Sequence, residues 1–534
     1  MPIKPTRCAA LSLLAFTSAS PTWAAEPTSL IEAQSLSVHI GKLASDEFGG
    51  RAPGTRGETL TIQYLAEQLA KFGLEPGNPD GTFFQEVPLV GYQSVPAIEI
   101  AAGGQKLTLK FPDDFVHDEV ALRAHAALRN AGVVFAGYGI VAPAYGRDDY
   151  RGIDVRNKLV VVLSGEPPGP EFKGEMRTWF STRESKFDLA ASKGAAGILV
   201  VTDPAKSSTF SVFQTLAKLE GAALEPLRGK SSPLICGLIT LDAARRLMKL
   251  AGQDFDQLQE ASKSRANAVV TSAHASISIR SKLRSFVSHN VVARVEGSDP
   301  RLKSEYVVYS AHWDHLGTDP SLSGDQIYNG AIDNAAGTSQ LLEIARAFAA
   351  LPRKPRRSIL FIAVTAEEKG YLGSRFYTRH PLFPLSATVA NINLDGGNVW
   401  GVTKDLITTG YGMSTLDEAL RDAARLQGRT FVEEAIDDGG LYFSSDQIEF
   451  AKAGIPAAFP FSGSEYVDRP KEFGDAKWDA YSTNDYHQPT DEVKPDWDLA
   501  GAAEDAKWLM IAGGLVADAE QRPEWKPGSE FLRH

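Results

Sequence analysis

Cysteine is nearly absent from this chain of 534 residues, which holds only Cys8 and Cys236. A zinc site built on several thiolates is therefore excluded, as is a disulfide framework, and any transition-metal site must rest on histidine and carboxylate. Basic charge is also in short supply, with 55 Lys and Arg against 66 Asp and Glu and a net charge of -11. That balance argues against nucleic acid or an anionic membrane surface as the main partner. No apolar run is long enough to span a bilayer, so no membrane insertion is expected. There is no Gly-x-Ser-x-Gly elbow to carry a serine nucleophile, no internal repeat and no low-complexity segment. What remains is ordinary globular composition, 43% apolar and 23% charged, in a chain long enough for two domains or more.

The first two dozen residues are set apart. Lys4 and Arg7 precede an apolar stretch from Cys8 to Ala19, and Ser20, Pro21, Thr22, Trp23, Ala24 and Ala25 follow. Basic, apolar and small residues in that order read as a secretory signal peptide, residues 1–24, cut after Ala24 or Ala25. The expected location is periplasmic or extracellular. Export without disulfides suits an envelope or secreted enzyme large enough to need no covalent staples.

From 28 to 73 the spacing of apolar residues predicts two helices with a Gly-rich break at 48–54, and 82–90 reads as a strand ending near Pro88. Between 96 and 285 short apolar segments separated by turn residues predict a β-rich insert with a helix or two, the clearest at 184–193. After 286 buried-strand runs at 291–295, 306–310, 359–364, 388–394 and 457–459 alternate with helices at 337–350 and 416–426. That alternation predicts an α/β sheet packed between helices.

Several of these strands end on polar residues that could do chemistry. One delivers His312, with Asp314 and His315 just beyond. Open α/β sheets place ligands at such strand ends, although His312 as a structural histidine fits this segment equally well. Asp333 lies in the small-residue turn Asn329 to Gly337 before a helix, where an N-cap role fits as readily. Glu367 and Glu368 close a third apolar strand; neighbours on an extended chain point opposite ways, so one can bind metal while the other faces substrate. Asp395 ends a fourth strand, and His487 sits between Tyr486 and a turn with Pro489 and Asp491. Each residue alone has an innocent reading as a cap or a solvated acid. Together His312, Asp333, Glu368, Asp395 and His487 form the inventory that a divalent metal pair requires.

These segments, in this order, resemble the zinc aminopeptidases of metallopeptidase family 28, which include bacterial secreted aminopeptidases and glutamate carboxypeptidase. Ser45 to Arg51 with Gly54 and Thr55 is similar to the family's N-terminal signature. Residues 136–140 and 158–162 resemble a protease-associated domain. The resemblance implies a mixed central sheet sandwiched by helices, zinc-peptidase/phosphorylase-like, with a protease-associated insert at 96–285 between catalytic parts at 26–95 and 286–534. It implies two zinc ions, one held by His312 and Asp395, the other by Glu368 and His487, with Asp333 bridging. Glu367 would be the general base, Asp314 the partner of His312's other ring nitrogen, and Tyr486 a hydrogen-bond donor to the oxyanion. The peptide bond after Asp333 would be cis. His315 belongs to the local pattern without belonging to the ligand set, which implies a structural or supporting role. Peptides are the implied substrates and removal of an N-terminal residue the implied reaction. Alternatives are a glutamate carboxypeptidase-like enzyme, for which Arg375 is the nearest carboxylate-gripping candidate, a glutaminyl cyclase, and a non-catalytic binding protein on the same fold.

Overall fold

A computed structural model describes residues 28–169, 172, 178–225, 233–433 and 440–532. The expected leader, 1–24, lies outside them. The first two helices form where the periodicity places them, at Ala33–Leu43 and Arg56–Lys71. Thr55 caps the second by accepting the Gly57 N–H. Between them Gly49 and Gly50 adopt positive φ angles of 53° and 66°. A side chain on Gly50 would meet the carbonyl oxygens of Gly317 and Tyr328, so only glycine lets the two stretches of backbone approach this closely.

Two long strands, Phe84–Ala102 and Ala268–Val295, pair antiparallel from Phe84 opposite Val291 to Ala101 opposite His274. This ribbon joins the two flanks of a 16-stranded sheet. On one flank Tyr306–His312 lies parallel to both Ser358–Val364 and Thr388–Asn393, and the last is parallel to Ala457–Ser462. Because Ser358–Val364 pairs antiparallel with the ribbon, the sheet is mixed, as expected. On the other flank His125–Ala136, Leu159–Leu163, Gly197–Thr202 and Ile235–Thr240 run parallel in succession.

The first ribbon strand does not end near Pro88. It continues through Pro96 because both prolines sit where the strand has a neighbour on one side only, so a missing N–H breaks no second ladder. The expected boundaries at 95/96 and 285/286 fall inside the two ribbon strands. Residues 96–285 also carry more helix than their texture suggests. Besides Arg183–Ser192 there are Thr209–Leu216, Leu241–Leu250 and Phe255–Ser264, the last two capped by Thr240 and Asp254. The long helix Ala500–Asp518 escaped the periodicity altogether. It is buried on nearly every face, so it has no polar stripe to announce it.

One hydrophobic core draws on Leu36, Leu65, Val307, Ile344, Ile392 and Trp508, and a second on Ile98, Val161, Leu199, Ile239, Leu247 and Ile277. The strand that carries His312 is pinned to the first core by Tyr309, whose hydroxyl donates to the Leu509 carbonyl at 2.7 Å. The loops beyond that strand are pinned by Arg51. Its buried guanidinium donates to the carbonyls of Trp313 (2.9 Å), Leu43 (2.8 Å), Asn329 (2.6 Å) and Gly330 (2.8 Å). Burial lowers its pKa to about 10, partly offset by Asp333, Asp491, Asp314 and Glu368, so it stays charged at neutral pH. Tyr309→Phe removes one neutral hydrogen bond and is expected to cost about 1 kcal/mol in urea unfolding. Arg51→Met leaves several buried carbonyls without a donor and is expected to cost about 3–5 kcal/mol. Equal losses in the two variants would show that Arg51 is not the clip that holds these loops.

Candidate metal centre

The residues picked out from the sequence converge at the strand ends. His312, the last residue of its strand, points Nε2 at Asp395 Oδ1 (3.1 Å) and Asp333 Oδ1 (3.3 Å). The other oxygen of Asp333 faces His487 Nε2 at 3.1 Å, and His487 Nε2 lies 3.2 Å from Glu368 Oε2. Asp333 thus divides its carboxylate between two half-sites. Glu367 Oε2 stands 4.0 Å from His312 Nε2, at the edge of the first half.

The backbone around these groups is fixed by buried polar contacts. The Asp333–Asn334 peptide bond is cis. Asp491 accepts the N–H groups of Ile332 (3.0 Å) and Asp333 (3.1 Å), which locks the turn that presents the central carboxylate. Asn334 donates to the Leu394 carbonyl (3.0 Å) and accepts from the N–H groups of Gly337 (2.9 Å) and Gly396 (3.0 Å), tying the Asp333 turn to the Asp395 loop. Ser445 donates to Asp395 Oδ2 at 2.6 Å, and Thr338 donates to the His312 carbonyl at 2.6 Å. Asp491 lay in a stretch already marked by the sequence, but nothing local showed which backbone it would reach.

Asp314 sits differently from the expectation. His312 Nδ1 is 3.1 Å from the Asp314 main-chain carbonyl and 3.9 Å from its carboxylate. The carboxylate instead accepts the Glu367 N–H at 3.0 Å, so Asp314 supports the position of Glu367. Burial pushes its pKa up to about 6. Asp446 is also buried; it accepts from Ser374 at 2.6 Å, and burial raises it to about 7. Tyr486 is 39% exposed and stacks on the His487 ring at 3.9 Å between centroids. Its place in the cleft, then Asp333 and Glu368, hold its phenol well above the ordinary value, which keeps the hydroxyl a donor. Arg375 is committed to Glu449 at 3.2 Å. His380 is exposed and stacks on Phe376.

The electrostatics call for cations. Burial disfavours charge on His312, yet Asp395 and Glu367 outweigh it and hold its pKa well above the ordinary value. His487 is opposed by burial in the same way and is raised by Glu368 and Asp333 to about 10. Burial raises Asp333, but His315, His312 and His487 together pull it well below the carboxylate range. Glu367 goes the other way, raised by burial and by Asp395 and Glu368 against the pull of His312. Protons on these histidines supply the positive charge that dications would supply by binding the same lone pairs. The residues fit zinc on a further ground. Glu368 Oε1 is buried with no hydrogen-bond partner, in a set of imidazole and carboxylate donors that zinc prefers.

A cavity of about 550 Å³ opens beside Asp395, walled by Trp400, Ile407, Phe461 and Trp478. Trp478 is 43% exposed at its rim.

Residues 290–511 match Peptidase family M28. Aminopeptidase YwaD of Bacillus subtilis (strain 168) is 31% identical over 219 residues, 40% of this chain and 42% of the relative. Aminopeptidase NAALADL1 of Mus musculus is 36% identical over 125 residues, 22% of this chain and 15% of the relative. The chain thus spans less than half the length of either curated relative. Among solved structures, an aminopeptidase from Aneurinibacillus sp. strain AM-1 superposes with a TM-score of 0.52 at 17% identity, over 94% of this chain and 96% of that one, and shares the fold. The matched stretch holds His312, Asp333, Glu367, Glu368, Asp395 and His487. Over that stretch the chain is similar to peptidase family M28.

Proposed function

We propose that the protein is an exported dinuclear zinc exopeptidase, an aminopeptidase that releases N-terminal residues from peptides. The observation that carries this reading is Asp333, whose two oxygens face His312 on one side and His487 on the other. His312 and Asp395 would hold one ion, Glu368 and His487 the other, and Asp333 both. When bound, the ions supply a water whose pKa falls toward about 7 and a Lewis acid for the scissile carbonyl. Glu367 takes the water's proton and passes it to the leaving amine, a role that its place 4.0 Å from His312 Nε2 suits. Asp314 holds the Glu367 backbone in place, and the Tyr486 hydroxyl donates to the charge that develops on the carbonyl oxygen.

Three features favour the amino terminus. Glu367 and Asp395 make the site's edge acidic, which attracts an ammonium and repels a terminal carboxylate. Arg375, the candidate grip for such a carboxylate, is already paired with Glu449. The curated relatives from Bacillus and mouse are both named aminopeptidases. The cavity beside Asp395 would take the side chain of the departing residue, and its tryptophan and phenylalanine walls suit a bulky apolar one. Export rests on the leader at 1–24; among the described residues no helix is long and apolar enough to cross a membrane. Residues 96–285 would be a protease-associated insert between catalytic parts at 26–95 and 286–534, a division supported by the separate core around Val161 and Leu199.

Peptides with free amino termini are expected to be trimmed while the same peptides acetylated at the N-terminus are not; cleavage of the acetylated set from its carboxyl end would favour the carboxypeptidase reading. Glu367→Gln is expected to keep two zinc ions by elemental analysis and lose about 10²–10⁴-fold in kcat, whereas near wild-type turnover would remove Glu367 from the mechanism. Asp333→Ala is expected to lose bound zinc, and full retention of two ions would contradict its bridging role.

A further inference from the structure

In the reading above the leaving amine takes its proton from Glu367, and the side chain of the departing residue enters the cavity beside Asp395. Neither Glu367 nor Tyr371 lines that cavity, and no residue between 96 and 285 does. The rest of the peptide therefore leaves on the other side, past the loop that follows Glu367. Residues 96–285 close over that loop. Ala222 and Leu224, in the strand Gly221–Leu224, pack with Ala366 and Leu372, which bracket it. Further along, Lys452 Nζ lies 4.2 Å over the ring of Trp179, whose N–H donates to Glu530 at 2.8 Å, so the helix Arg183–Ser192 begins against the catalytic part.

Tyr371 ends the loop. The residue is 8% exposed, yet its hydroxyl has no hydrogen-bond partner among the described residues and is not sealed from solvent. A buried tyrosine kept only for packing normally satisfies its hydroxyl. Burial, then Glu184 and Glu367, hold the phenol well above its ordinary value against the pull of Arg183, so one group feels both the proposed base and the helix Arg183–Ser192. The loop is also strained at both ends, with φ of 54° at Ala366 and 58° at Tyr371. Residues other than glycine hold such angles mainly at functional sites.

The surface that Tyr371 meets is acidic. Arg183 is spent on Asp118 Oδ2 (3.2 Å) and Glu184 Oε1 (3.0 Å), with its guanidinium 4.3 Å over the Phe213 ring. On the catalytic side Arg375 and Lys452 share Glu449, at 3.2 Å and 3.1 Å. Those charges cancel between them. Glu119 and Asp188 are exposed, have no ion pair among the described residues, and remain as the excess. Its place in the cleft and Asp118 push the Glu119 carboxyl up to about 7 against Arg375, with Asp188 and Glu184 adding to the crowding, which a cation would relieve. We propose that Tyr371 and this surface form the subsite for the residue next after the one released, with the Tyr371 hydroxyl on its backbone and Glu119 and Asp188 favouring a cationic side chain. The inference rests on the aminopeptidase reading above and gives it a substrate class, peptides with lysine or arginine in second place.

Tripeptides that differ only in second place test this on zinc-loaded full-length protein. Leu-Lys-Ala is expected to show a kcat/KM about 10-fold above that of Leu-Glu-Ala, and Glu119→Gln combined with Asp188→Asn is expected to bring that ratio close to one. Tyr371→Phe is expected to lose about 5–10-fold more on the tripeptides than on leucyl-nitroanilide, which has no second residue. Equal rates on the two tripeptides in the wild type, a ratio that survives in the double variant, or a loss in Tyr371→Phe no greater on tripeptides than on the nitroanilide would overturn the subsite. The wild-type ratio decides the cation preference even if a variant folds poorly. A wild type that cleaves none of the three substrates would overturn the aminopeptidase reading itself, an outcome distinct from equal rates.

Discussion

Asp314, Asp333, Glu367, Glu368 and Asp395 are crowded with three histidines into one largely buried space, and the rest of the structure is arranged around that negative charge. Two like charges 4 Å apart repel by about 4 kcal/mol at an effective dielectric of 20. So many carboxylates cannot share this space ionised without compensation. Arg51 supplies one fixed positive charge nearby, the histidines can add protons, and two dications would answer the remainder. The surrounding polar groups serve position more than charge. Asp491, Asn334, Ser445 and Asp314 each hold a loop or a carboxylate so that the repulsion cannot spread the cage apart.

The ribbon of Phe84–Ala102 and Ala268–Val295 couples this site to the rest of the chain. Asn290, near its end, donates to Gln85 (2.9 Å) and to the Gly373 carbonyl (3.0 Å) and accepts the Thr365 N–H (3.0 Å). Thr365 is two residues from Glu367. A bend in the ribbon would therefore reach the Glu367 loop directly. Residues 96–285 extend the same sheet.

Three of the candidate segments were legible because each is a short apolar strand that stops on a polar residue, at His312, at Glu367 and Glu368, and at Asp395. Asp333 and His487 lie in turns, and only the joint inventory and the family resemblance added them to the set. Other features depend on contacts that no local pattern encodes. The role of Arg51 needs carbonyls from three distant residues as well as Leu43, and that of Asp491 needs a turn 158 residues earlier. The helix Ala500–Asp518 was hidden by burial on nearly all faces, and the ribbon by prolines that a one-sided strand tolerates. His315 was visible, but as a neighbour of His312; its approach to Glu368 belongs to the fold.

The central claim is that Asp333 lies between two metal ions. Crystals of zinc-loaded protein measured at the zinc absorption edge address it most directly. The account predicts two anomalous peaks, one bounded by His312, Asp395 and Asp333 and the other by Glu368, His487 and Asp333. A single peak, or none within reach of Asp333, would contradict it.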